Sequence, residues 1–209
     1  MITESQRTFA IITGGYDPIS DTGFYGFVPS SDLIDGKHLS ELLEFHKGTD
    51  QNSHSGWLKF YIGSHAICNH INTHRIIYIS RMTLKHTVSW RDIDRAKLRT
   101  GNRTVYINGF KYRVRLLTGG MDHSGIGSEW NELIYRVHAH YNTNKNKWGY
   151  YDDSDLSTSY GHGRFSWVQE KYEREAVGRG NYRVTSWNTS ERTCAYPSDG
   201  WRPVLELIE

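Results

Sequence analysis

Asn108-Gly109 lies at the centre of a run in which apolar and polar residues alternate on both sides, Thr104-Val105-Tyr106-Ile107 before it and Phe110-Lys111-Tyr112-Arg113-Val114-Arg115-Leu116 after it. Alternation of this period belongs to a strand with one buried face. Asn-Gly adopts the positive φ angles of a primed two-residue turn, whose twist matches that of the flanking strands. The run therefore predicts a β-hairpin, closed by Gly119-Gly120. A lone hairpin is barely stable in water, so the chain must extend it into a sheet and cover the apolar face.

Material for that sheet recurs along the chain. Trp57-Leu58-Lys59-Phe60-Tyr61-Ile62 and Arg75–Ser80, with Ile76-Ile77-Tyr78-Ile79, read as strands. Phe165-Ser166-Trp167-Val168 and Tyr182-Arg183-Val184 are short apolar anchors, and Trp201 to Leu207 reads as one closing strand. Three helices are expected. Leu39, Leu42, Leu43 and Phe45 have the spacing of a short amphipathic helix. Ser89 stands as N-cap to Trp90–Leu98, and Ser128 to a helix from Glu129 to Val137. Trp130, Leu133, Ile134 and Val137 form a stripe on the last, and Glu129 suits the positive helix end. The first thirty residues, rich in Gly and aromatics, suggest turns and short strands, whereas Asn142 to Gly163 reads as long loop. The expected class is α+β, with twisted antiparallel sheets, two or three short helices and long C-terminal loops. An N-terminal attachment region is expected over residues 1–55 and a recognition domain over 56–209.

Composition narrows the function classes. Only 37% of residues are hydrophobic, yet 13% are aromatic, with seven Trp and fourteen Tyr. Disordered chains lack such large rings, so a folded, loop-rich domain is expected. A formal net charge of +2, with no basic cluster, makes no electrostatic case for nucleic acid. No apolar stretch approaches twenty residues, so no membrane insertion is expected. The N-terminus shows no signal pattern, which points to synthesis and folding in a cytoplasm. There Cys68 and Cys194 would be free, buried thiols rather than a disulfide.

Candidate sites follow from residue type and setting. His65, His70 and His74 lack the partner ligands of a zinc motif and read as a solvated loop, and His138 and His140 sit at strand spacing just past a helix, with no metal expected at either place. Asp152, Asp153 and Asp155 form an acidic loop that offers oxygen ligands, so calcium stays open there, although the EF-hand pattern is absent and no cofactor is otherwise expected. No nucleophile motif occurs, and nothing singles out Glu129, Glu132 or Glu170 for acid–base work, so no catalytic residue is assigned. Rings interleaved with amides and carboxylates suit sugars, which stack apolar C–H faces on rings and bond through hydroxyl edges. Tyr150, Tyr151 and Tyr160, with Asp152, Asp153, Asp155, Trp187 and Asn188, are the candidate ligand contacts, on loops 148–163 and 185–199. Trp130, Trp167 and Trp201 are assigned to the core.

Several motifs in order also carry a resemblance. Gly56-Trp57-Leu58-Lys59-Phe60, Ile107 through Gly120, Ser128-Glu129-Trp130-Asn131, Phe165 through Glu170 and Gly200-Trp201-Arg202-Pro203-Val204-Leu205 together resemble phage and prophage virion-associated proteins with tail-fibre or adhesin roles. The ending is similar to the Gly-Phe-Arg close of the formylglycine-generating-enzyme branch of the C-type-lectin fold, which phage variable receptor-binding domains also use. The Arg-Gly element of those relatives is met loosely by Arg179-Gly180-Asn181, and their catalytic cysteines have no counterpart, so oxidase chemistry does not carry over. The resemblance implies a lectin-like C-terminal half, a place in the virion and contact with other virion proteins. The resulting expectation is a non-enzymatic, homo-oligomeric virion protein that recognises a host-surface glycan. The alternative is a capsid-decoration, collar or tail component that contacts its neighbours.

Overall fold

The computed structural model describes residues 15–17, 21–63, 74–139 and 148–208. His65, Cys68, His70 and His140 lie outside them. The structure is α+β, built on two mainly antiparallel sheets. The first is formed by β1 (Gly15–Asp17), β2 (Thr22–Val28), β4 (Trp57–Ile62), β5 (Arg75–Ser80), β13 (Val204–Leu207), β8 (Phe110–Arg115) and β7 (Arg103–Ile107), in that spatial order. The second runs β11 (Trp187–Glu191), β10 (Glu175–Gly180), β9 (Phe165–Lys171), β12 (Asp199–Trp201), β6 (Lys85–His86) and β3 (Thr49–Asp50). β9 and β12 form a parallel pair.

The Asn-Gly hairpin forms as its chemistry requires. Ile107 pairs with Phe110, and Asn108 and Gly109 take φ of 52° and 83°. Two of the three helices open on side-chain caps, one of them the expected Ser89. Asp35 accepts from the His38 amide at the start of α1 (Gly36–Leu42), and Ser89 accepts from the Asp92 amide to open α2 (Trp90–Arg95). The third departs from the amphipathic α-helix. Trp130–Ile134 is a π-helical turn that tightens into α3 (Tyr135–Val137). Ser128 still caps it, its Oγ accepting from the Asn131 amide at 3.3 Å.

The first sheet is packed on both faces. Alternate residues of its central strands serve two cores: Trp57, Tyr78 and Leu205 face one, and Leu58, Phe60, Ile77, Ile79 and Val204 face the other. This is why β5 reads as an unbroken apolar run instead of an alternating one. The first core takes Leu39 from α1 and Trp90 and Ile93 from α2, and the second takes Trp130, Leu133, Ile134 and Val137. Trp130, Trp167 and Trp201 are buried, as are Trp57, Trp90 and Trp148. Four indole N–H groups tie elements together: Trp57 donates to Ile34 O, Trp90 to Val168 O, Trp130 to Val184 O and Trp167 to Val88 O, at 2.7 to 2.9 Å. A buried indole usually finds such a partner, although Nε1 of Trp201 has none among the described residues.

Two details differ from the sequence reading. The closing segment is two strands: β12 lies in the second sheet and β13 in the first. Pro203 has no N–H to continue a ladder, and its carbonyl instead accepts from the Ser80 amide. Glu129 does not act at a helix end. It is buried, and both carboxylate oxygens accept from Arg115 at 2.7 Å. Arg115 also donates to Glu206, which links β8, β13 and the π-turn through one charge network. Burial opposes both charges, but mutual pairing prevails and holds Glu129 below the ordinary carboxylate value. Residues on either side of position 55 share one sheet, because β2 pairs with β4 along its length.

Candidate functional site

One end of the second sheet gathers three connections. Here β9 begins, β10 ends and β12 begins, because Phe165 pairs with Gly180 on one side and with Asp199 on the other. The loop entering β9 is held at several points. Gly163 N donates to Pro197 O and Phe165 N to Ser198 O, both at 2.9 Å. The turn between β10 and β11 meets the same loop, Asn181 N donating to Arg164 O at 2.8 Å.

The acidic residues of loop 148–163 organise the loop itself. Asp152 accepts from the Ser154 and Asp155 amides, and Asp155 accepts in return from the Asp152 amide at 3.1 Å. Asp153 Oδ1 accepts from Thr158 Oγ1 at 2.7 Å and from the Val184 amide at 2.6 Å, and lies 3.4 Å from Nε2 of buried His138. Asp153 thus ties the loop to the β10–β11 turn and to the end of α3. Among the described residues, no group of three or more His, Cys, Asp or Glu is placed to hold a metal ion. One carboxylate oxygen of each of these residues is engaged, by backbone amides and, for Asp153, also by a hydroxyl.

The remaining candidates lie in separate settings. Tyr150 is exposed, with its ring 6.3 Å from that of Phe24 in β2. Tyr151 packs against the second core, and burial pushes its hydroxyl pKa up. Trp187 and Asn188 lie on the edge strand β11. Trp187 is partly buried against the second core with an unpartnered Nε1, and Asn188 is exposed and accepts from the Thr189 amide.

Tyr160 is 84% exposed at the tip of its loop. Its ring meets that of Tyr182 edge to face, with centroids 5.0 Å apart. Tyr182 belongs to no strand. It lies in the β10–β11 turn, 46% exposed, while Val184 turns inward and is buried. Its φ is +88°, after Asn181 at +69°. Asn tolerates the left-handed region, but an aromatic residue there carries strain of about 1–3 kcal/mol, and such residues concentrate at functional sites. The strained turn holds the Tyr182 ring under Arg164, whose guanidinium carbon is 4.4 Å from the ring centroid. Arg164 also donates from Nε to Asn181 Oδ1 at 2.9 Å and from Nη2 to Tyr182 Oη at 3.0 Å. Two residues beyond Tyr160, the His162 ring lies 4.5 Å from that of His86. Burial first, and then His162, keep the His86 pKa below its ordinary value.

Beneath the patch, Asp199 accepts from the Tyr196 amide and from Ser198 Oγ. Burial outweighs these bonds and pushes its pKa up to about 6.

Tyr160 was legible as a ring in polar sequence. Tyr182 and Arg164 were not, because their contact spans eighteen residues and depends on how β9 pairs with β10. Another surface signal is Ile126, 84% exposed between Gly125 and Gly127, both at positive φ. Its loop is anchored by Arg179, which donates to the carbonyls of Gly119, Asp122 and His123. Cys194 is partly buried and makes no disulfide among the described residues. No helix among the described residues is long and apolar enough to cross a membrane.

No family model matches the chain, and neither a curated protein nor a solved structure matches it.

Proposed function

We propose that this chain is a non-catalytic recognition module of a phage particle, and that it takes a host-surface glycan on the Tyr160–Tyr182 pair. The observation that carries the reading is an exposed ring braced against a second ring, whose own backbone is strained. Solvent-exposed rings that do not build the core favour a ligand with apolar C–H faces, and the neighbouring amide and guanidinium suit its hydroxyl edges. The place on a particle, the lectin-like character and contacts with other virion proteins rest on the sequence resemblance. Weak contacts of this kind gain strength from several copies, so a homo-oligomer suits the role.

The test is binding of the labelled, purified chain to bacterial surface polysaccharides, compared with Tyr160→Ala. Saturable binding that Tyr160→Ala abolishes, with the melting temperature unchanged, supports the reading. Binding unaffected by the substitution sinks it.

A second reading is a decoration, collar or tail component, and the exposed Ile126 on its pinned loop favours it. It expects assembly onto particles to fail in Ile126→Asp while polysaccharides are ignored.

A further inference from the structure

We infer that the saccharide held at this patch is an acidic one, its carboxylate or phosphate paired with Arg164. The inference rests on the reading of Tyr160 and Tyr182 as the contact surface and names the class of ligand they take.

Arg164 differs from the arginines that are paired with acids in what surrounds its charge. Arg75, Arg99, Arg103, Arg113, Arg115 and Arg136 each have a carboxylate within 4 Å. Arg164 is held only by neutral oxygens, those of Asn181, Tyr182 and Gly161. Among the described residues it makes no ion pair, although it is part-exposed and fixed over a ring. A guanidinium has five N–H donors, and three bonds leave donors for a further partner. Ordering a long side chain costs up to about 2 kcal/mol, so a merely solvated arginine would not be expected to be tethered at both ends of its guanidinium. The geometry is that of a preorganised cation next to a stacking surface, and a carboxylate or phosphate is the group a guanidinium fork binds best.

The surrounding charges agree. Arg183 is exposed in the same turn as Tyr182, with no ion pair among the described residues, and His162 is exposed on the Tyr160 loop. The nearby acids are engaged inward. Asp153 serves the Val184 amide and Thr158, and Asp199, buried, serves Tyr196 and Ser198. Asp152 and Asp155, on the same loop as Tyr160, accept from loop amides.

The experiment compares polygalacturonate with its fully methyl-esterified form, which keeps the backbone and removes the charge, and phosphorylated dextran with plain dextran. The wild-type chain is expected to bind one charged member at least tenfold more tightly than its neutral partner, and which pair shows the difference tells carboxylate from phosphate. Arg164→Gln should erase that preference while leaving residual binding at the neutral level, whereas Tyr160→Ala should remove binding to both. Sodium chloride should weaken wild-type binding to the charged member alone, and this readout stands even if Arg164→Gln fails to fold. Equal wild-type affinity for charged and neutral members, with Tyr160→Ala still abolishing both, overturns the charge inference and leaves the glycan reading intact. Binding to none of the four polymers, or binding that Tyr160→Ala leaves unchanged, overturns both.

Discussion

Of the arginines that lie over aromatic rings, Arg202 and Arg164 have opposite surroundings. Arg202, between β12 and β13, is 1% exposed and sits 5.5 Å from the ring of Trp130. It donates to Ser166 Oγ and to the carbonyls of Ser80, Arg81 and Leu156, so its hydrogen bonds gather the ends of several elements around one interior cation. No carboxylate joins it, and burial pulls its pKa down to about 9. Arg164 lies on Tyr182 at the surface, with donors to spare. Similar groups thus serve architecture where water is excluded and, on the proposed reading, recognition where it is not. An interior cation must satisfy its neighbours completely, because an unmet carbonyl there is costly. A surface cation meets no such demand, and any specificity it has lies in its fixed position.

The sharpest way to break this contrast is Arg202→Met. It strands three buried carbonyls, and the expected loss is about 3–5 kcal/mol, the range for leaving a buried polar network uncompensated. A urea midpoint within error of wild type would show that the arginine is ornamental. Asp153→Ala comes next. It leaves the Val184 amide unmet and frees the loop that carries Tyr160, for an expected cost of about 1–3 kcal/mol. Polysaccharide binding should weaken along with it, so intact binding would separate the loop's anchor from its tip.

Tyr182→Gly turns the comparison around. Glycine adopts φ of +88° without strain, so thermal unfolding should show stability gained by up to about 1 kcal/mol while binding falls with the ring. Stability and binding that decline together would mean that the Tyr182 ring is chiefly packing. The smallest effect concerns pH. The Asp199 pKa is raised above its unfolded value, to about 6, so the folded state favours the protonated acid. Its contribution is present in full below the unfolded value and is lost as pH rises through about 6. The stability of wild type relative to Asp199→Asn should therefore increase between pH 7 and pH 5. A difference that stays flat over that range would show that Asp199 titrates normally.

Much of the framework could be anticipated from neighbouring residues. The Asn108-Gly109 turn, the Ser89 cap and the stripe Trp130, Leu133, Ile134, Val137 depend on backbone and side-chain preferences within a few positions, and each is found as its chemistry implies. Tyr160 was recognisable because a large ring amid Gly, Ser and His has little nearby to pack against. The features that escaped notice involve partners far apart in sequence. Tyr182 looked like an apolar anchor beside Val184, yet pairing of β9 with β10 turns it outward and beneath Arg164. Glu129 looked like a helix-end acid, yet the register between β8 and β13 sets Arg115 and Glu206 together and draws it inside.

The C-terminal strand shows where the division falls. Its residue pattern suffices to place Trp201 and Leu205 indoors, because burial of apolar area is a property of the side chain. That Trp201 and Leu207 belong to different sheets, with Arg202 turned into the gap, follows from no pattern within the segment. A charge can enter the interior only when remote carbonyls converge on it, and that convergence exists only once both sheets have formed.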